Sequence, residues 1–137
     1  MDSSGVPVDI LILGAGWYSK YLIPLIQSDP SLSFVATTRD GRAVTGHTTI
    51  KFEVSDKDET DWARLPKART VVLSFPTVLP GAVTKYIRAY ELIHGAGWTR
   101  WIQLGSTGAF DVRDVWHPSL SCLLSRSLPF PRLFSPL

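Results

Sequence analysis

The chain is poor in the residues that build metal and redox sites. It holds one cysteine, Cys122, and three histidines in separate segments, His47, His94 and His117. A single cysteine excludes an internal disulfide and an all-cysteine metal site, and no pair of histidines has H-x-x-x-H spacing, so no metal is expected. Long apolar runs are missing too. Nothing approaches the roughly 18 residues of a membrane span. The start, Met1-Asp2-Ser3-Ser4, lacks the basic residues of a signal peptide. These absences predict a cytoplasmic protein with no membrane partner. Charge is also scarce: 14 basic against 12 acidic residues leave a formal net charge of +2. The basic residues form no run, Arg39 and Arg42 being the nearest thing to a patch, which argues against nucleic acid as a partner.

What the chain does have is apolar content in ordered blocks. At 137 residues it is long enough for one ordinary core. Its first block, Val8-Asp9-Ile10-Leu11-Ile12-Leu13, stops at Gly14-Ala15-Gly16, and an amphipathic segment from Trp17 follows directly. A strand, a glycine turn and a helix in immediate succession are the opening of a dinucleotide-binding βαβ unit. Gly14 permits the sharp turn, and a side chain at Gly16 would hold a pyrophosphate away from the main chain. The free N–H groups and positive dipole end of the helix would then face the phosphates. The third fingerprint position is Ser19 rather than glycine, small enough for close helix–strand packing.

Further along, strands and helical or turn segments alternate. The first helix is expected over 17–28, with Pro24 inside it as a cost or a kink. Strands are expected over 33–38 and 48–54, the latter with Ile50, Phe52 and Val54 on one face. A single helical turn around Trp62 should lead to a buried strand over 69–75, ended by Pro76. Val83, Ile87, Tyr90 and Leu92–Ile93 fit a helix over 79–94 that faces a sheet. Gly95-Ala96-Gly97 stops it. A fifth strand is expected over 98–104. The alternation predicts an α/β fold, a truncated Rossmann-type parallel sheet of about five strands in the order 3-2-1-4-5.

Composition breaks near His117. Asp114 is the last acidic residue, and the segment that follows is mostly Ser, Leu and Pro. Pro118, Pro129, Pro131 and Pro136 forbid a long helix there. The expected organisation is a dinucleotide-binding domain over 1–116, incomplete at its end, and an irregular tail over 117–137. A retained intron, a shifted reading frame or a mispredicted gene end would produce such a break.

Three other segments carry candidate site residues. Arg39 and Arg42 follow the second strand, where the adenosine ribose of a dinucleotide lies. Guanidinium groups suit the 2′-phosphate of NADP by charge and forked geometry, while Asp40 could accept from the 2′-hydroxyl of NAD. NADP is the favoured cofactor and NAD the alternative. Ser74-Phe75-Pro76 closes the fourth strand at the carboxyl edge, where backbone could line the path toward the nicotinamide. Ser106, in Gly105-Ser106-Thr107-Gly108, could face a substrate or be a plain turn residue.

Together, Gly14-Ala15-Gly16-Trp17, Thr37-Thr38-Arg39 and the stretch from Trp101 to Phe110 resemble the extended short-chain dehydrogenase/reductases, the NAD-dependent epimerase/dehydratase family. The likeness is to an atypical branch with a shortened glycine motif and covers about residues 8–116. It implies NAD(P) binding through Gly14, Ala15, Gly16, Trp17 and Tyr18, and it matches Ser106 to the catalytic serine. Gly105 and Phe110 replace that serine's usual serine and tyrosine neighbours. The family also uses a tyrosine, with a lysine four residues on, downstream of the serine as acid/base. Here the last tyrosine is Tyr90 and the last lysine Lys85. Little or no turnover is therefore expected, whether the chain is a dinucleotide-binding fragment, a non-catalytic NADP sensor with a protein partner, or a non-functional truncated product. A homodimer through the helix over 79–94 is a further expectation.

Overall fold

In a computed structural model, residues 6–54, 61–77 and 79–104 are described. The elements run β1 (Val8–Leu13), α1 (Ser19–Gln27), β2 (Phe34–Thr38), β3 (Ile50–Lys51), a 3-10 turn (Trp62–Arg64), β4 (Ala68–Leu73), α2 (Ala82–His94) and β5 (Arg100–Gln103). All pairings between strands are parallel, and the order is 3-2-1-4-5. The fold is α/β, as expected from the alternation of segments. The tail expected over 117–137 and Ser106 lie outside the described residues. No helix among those described is long and apolar enough to cross a membrane.

β1 is buried on both faces, so its apolar run is continuous rather than alternating. Ile10 and Ile12 pack with Ala36, Val44 and the α1 residues Ile23 and Ile26 on one face. Leu11 and Leu13 pack with Val71, Leu73, Trp62, Tyr86 and Tyr90 on the other. The two helices thus cover opposite faces, and the change of side falls between β1 and β4. No helix joins β2 to β3. A tight turn at Thr45 and Gly46, both with positive φ, bridges Val44 to His47 instead and seats Val44 against the α1-side core.

Several boundaries differ from expectation. α1 begins at Ser19 rather than Trp17, because Gly16 and Trp17 carbonyls close a three-residue turn onto Ser19 and Lys20. Pro24 is exposed, and the helix continues past it to the Ser28 N–H bond on the Pro24 carbonyl. β3 has only two ladder residues instead of seven. It lies at the sheet edge and pairs only with Thr37 and Thr38, while Phe52 still donates to Thr38.

The buried stripe of α2 is also different. Ala82, Tyr86 and Tyr90, four residues apart, face the core. Leu92 is 87% exposed, being on the far side of the helix from Tyr90, and Ile93 is half exposed. The last turn packs through His94, whose ring lies 4.3 Å from that of Tyr90 and whose Nε2 is 3.2 Å from the Trp62 carbonyl. β5, shorter than the expected strand, is largely exposed: only Trp101 reaches the core, edge-on to Tyr90, and Ile102 is exposed.

Tyr90 locks the start of β4. Its hydroxyl accepts from the Ala68 N–H at 2.9 Å and donates to the Pro66 carbonyl at 2.8 Å. Burial pushes the phenol up to about 12 from its ordinary 10.0. A phenol so shifted contributes its full stability below about pH 10 and loses it as pH climbs toward 12. Tyr90→Phe is expected to cost about 1–3 kcal/mol at neutral pH, since the buried Ala68 N–H and the part-buried Pro66 carbonyl lose their partner. It should also remove part of the decline above pH 10. Denaturant melts of both proteins across pH 7–12 check this, and equal stability with equal alkaline limbs would refute it.

Candidate functional site

A cleft of about 610 Å³ opens at the carboxyl ends of β1 to β4. Ligand sites of open parallel sheets lie at such a point, where neighbouring strands send their connections to opposite faces. Its lining includes Gly14, Ala15, Gly16, Thr37, Arg39, Arg42, Glu53, Phe75 and Pro76.

The floor is the glycine turn, and two independent constraints hold it. Gly14 has φ +79°, and a Cβ there would sit 2.7 Å from Cδ1 of Phe75. The end of β2 then clamps the turn: Gly14 N–H donates to Thr37 Oγ1 at 3.1 Å and Ala15 N–H to the Thr37 carbonyl at 2.6 Å. Gly16 obeys a different logic. A Cβ there would meet nothing nearer than the Gly14 carbonyl at 3.8 Å, so packing within the described chain tolerates a larger residue. The bare backbone at Gly16 leaves room on the cleft side.

With Gly14 and Ala15 bonded to β2, the N–H groups of Gly16, Trp17 and Tyr18 have no acceptor among the described residues. α1 has no side-chain cap and no acidic residue in its first turn. Its positive end is therefore uncompensated at the cleft floor. Ser19 takes the third fingerprint position fully buried, which meets the expectation of close helix–strand packing. Its hydroxyl has no partner among the described residues.

Among the described residues, four charged side chains line the rim beside β2 and β3. Arg39 Nε lies 3.6 Å from Glu53 Oε1, and Arg42 Nη1 lies 3.9 Å from Asp40 Oδ2. The Arg42 N–H, donating to Asp40 Oδ1 at 3.3 Å, is the main cause holding the Asp40 carboxyl below its ordinary pKa. Thr38, Thr49 and the Arg42 carbonyl form a hydroxyl relay that pins this turn.

The structure thus brings Gly14, Ala15, Gly16, Arg39, Arg42, Phe75 and Pro76 to one cleft. It leaves three expected residues off the lining. Trp17 is 69% exposed, with its ring edge-on to Tyr21 at 5.2 Å, and Tyr18 is also exposed. Ser74 does not line the cleft: its hydroxyl donates to the carbonyls of Leu13 and Gly14, tying β4 to the glycine turn. Phe52, Glu53 and Val54 also line the cleft, though none was expected as a site residue. The expected strand order, with the third strand beside the second, was the signal that could have found them.

No family model matches the chain, and neither a curated protein nor a solved structure matches it.

Proposed function

We propose that the chain binds a dinucleotide in this cleft, NADP in preference to NAD. The observation that carries the reading is the coincidence at one switch point of a glycine turn, an uncapped helix end and two arginines. The N–H groups of Gly16, Trp17 and Tyr18 would hold the pyrophosphate. The end of β2 would meet the adenosine ribose, with Arg39 and Arg42 for a 2′-phosphate and Asp40 for a 2′-hydroxyl. Phe75 and Pro76 would line the path toward the nicotinamide. The volume falls within the usual range of a small-molecule site, roughly 300–1,000 Å³.

The resemblance to the extended short-chain dehydrogenase/reductases supports the same ligand. A bound nicotinamide would supply hydride chemistry, but Ser106 is the only residue here matched to that family's acid/base set. Its hydroxyl can polarise a carbonyl and cannot by itself deliver the proton that carbonyl reduction needs. Binding with little or no turnover is therefore the function proposed for these residues.

Isothermal titration of wild type and Arg39→Ala with both reduced cofactors tests the assignment. Loss of a charge-assisted contact is worth about 1.5–3 kcal/mol. NADPH should therefore weaken by about tenfold or more, with NADH nearly unchanged. Equal losses for both cofactors would refute the arginine's role, and no binding of either to the folded wild type would refute the site.

A further inference from the structure

We infer that Glu53, at the carboxyl end of β3, sets how strongly the cleft prefers a 2′-phosphorylated nucleotide by competing with that phosphate for Arg39. The inference rests on the dinucleotide reading of the same cleft.

The pairing of Arg39 with Glu53 follows from strand register. Thr38 lies opposite Lys51, and Phe52 N–H donates to the Thr38 carbonyl at 2.9 Å. Arg39 is the first residue past the ladder on β2 and Glu53 the second past it on β3, one step beyond the position opposite Arg39. Their side chains leave the sheet edge as neighbours and meet at 3.6 Å. Both line the cleft. They are also exposed, at 83% and 66% of their side-chain surface, so the pair is weak enough for a ligand to break.

The second pair at this rim is different in kind. Asp40 is tied within its own turn by the Arg42 N–H, and Arg42 approaches the same carboxylate. Among the described residues, two arginines and two carboxylates line this rim and cancel in formal charge. An entering 2′-phosphate carries roughly −1.5 to −2 at neutral pH, like other phosphomonoesters. It therefore competes with Glu53 for Arg39 and meets the Glu53 carboxylate as a like charge. A 2′-hydroxyl does neither. Glu53 thus narrows a preference that Arg39 creates, and its removal should widen it.

The test is titration calorimetry of the full chain with 2′,5′-ADP, 5′-AMP, NADPH and NADH. The proteins are wild type, Glu53→Gln, Arg39→Ala and the double variant, each first checked for a cooperative melt. Glu53→Gln keeps the side-chain shape and removes the charge. It should tighten 2′,5′-ADP and NADPH by about fivefold, the scale of an exposed ion pair, while 5′-AMP and NADH change less than about twofold. In the Arg39→Ala background the same substitution should give a markedly smaller gain, because the contested guanidinium is gone. Unchanged affinity for 2′,5′-ADP in Glu53→Gln would overturn the inference. So would an equal gain for NADH, or a full gain without Arg39. Failure of every nucleotide to bind the folded wild type would instead overturn the dinucleotide reading itself, and this inference with it.

Discussion

Gly14→Ala is expected to lower the melting temperature by on the order of 10 °C and to abolish cofactor binding. Two costs act at once. An alanine at φ +79° is held in the left-handed region, a cost of roughly 1–2 kcal/mol. Its Cβ would also lie 2.7 Å from the ring of Phe75, and forcing an extra carbon into packed space costs about 1–3 kcal/mol more. For a domain of this length each kcal/mol moves the midpoint by a few degrees. Phe75→Leu should recover part of the loss, since it relieves the clash but not the backbone strain. Gly16→Ala is the contrast, because its Cβ would meet only an ordinary contact at 3.8 Å. It should melt within about 2 °C of wild type, a surface-like substitution. Calorimetric melts of the four proteins decide the matter; equal midpoints for Gly14→Ala and wild type would refute the packing account.

Saturating NADPH should raise the melting temperature by about 10 °C, and NADH by less. A ligand at about a hundred times its dissociation constant adds roughly 2.7 kcal/mol to a folded binder. The shift separates binding from folding when it is read beside the Gly16 variants. Gly16→Val should melt near wild type yet lose most of the NADPH shift, because its side chain would enter the space next to the free N–H groups. A full shift in Gly16→Val would place the ligand elsewhere. A cooperative melt unmoved by either cofactor would remove the dinucleotide proposal while leaving the fold intact.

Legibility in the sequence was uneven for physical reasons. β1 and β4 were readable because strands buried on both faces are continuous apolar runs bounded by breakers, Gly14 after one and Pro76 after the other. The glycine turn was readable because few residues accept a positive φ between a strand and a helix. α2 was readable as a helix but not in its orientation. Leu92 and Ile93 look like core by hydropathy, yet Tyr86 and Tyr90 fill the space between helix and sheet, and the Tyr90 hydroxyl finds backbone partners at β4. β3 was overestimated because Ile50, Phe52 and Val54 alternate. Its side chains serve the core at Phe52, but its ladder stops after two residues.

The site divides in the same way. Local sequence alone determined the strand–glycine–helix succession, the alternation of strand and helical segments, and the arginines after the second strand. These depend on backbone sterics and short-range pattern, which act between residues near in the chain. Tertiary structure alone decided that Thr37 takes the N–H groups of Gly14 and Ala15, that Ser74 binds carbonyls rather than a ligand, and that Glu53 stands against Arg39. Each is a contact between residues 14 to 61 positions apart, made only when parallel strands come into register. Register depends on the packing of both sheet faces at once, and no local window of the chain contains it.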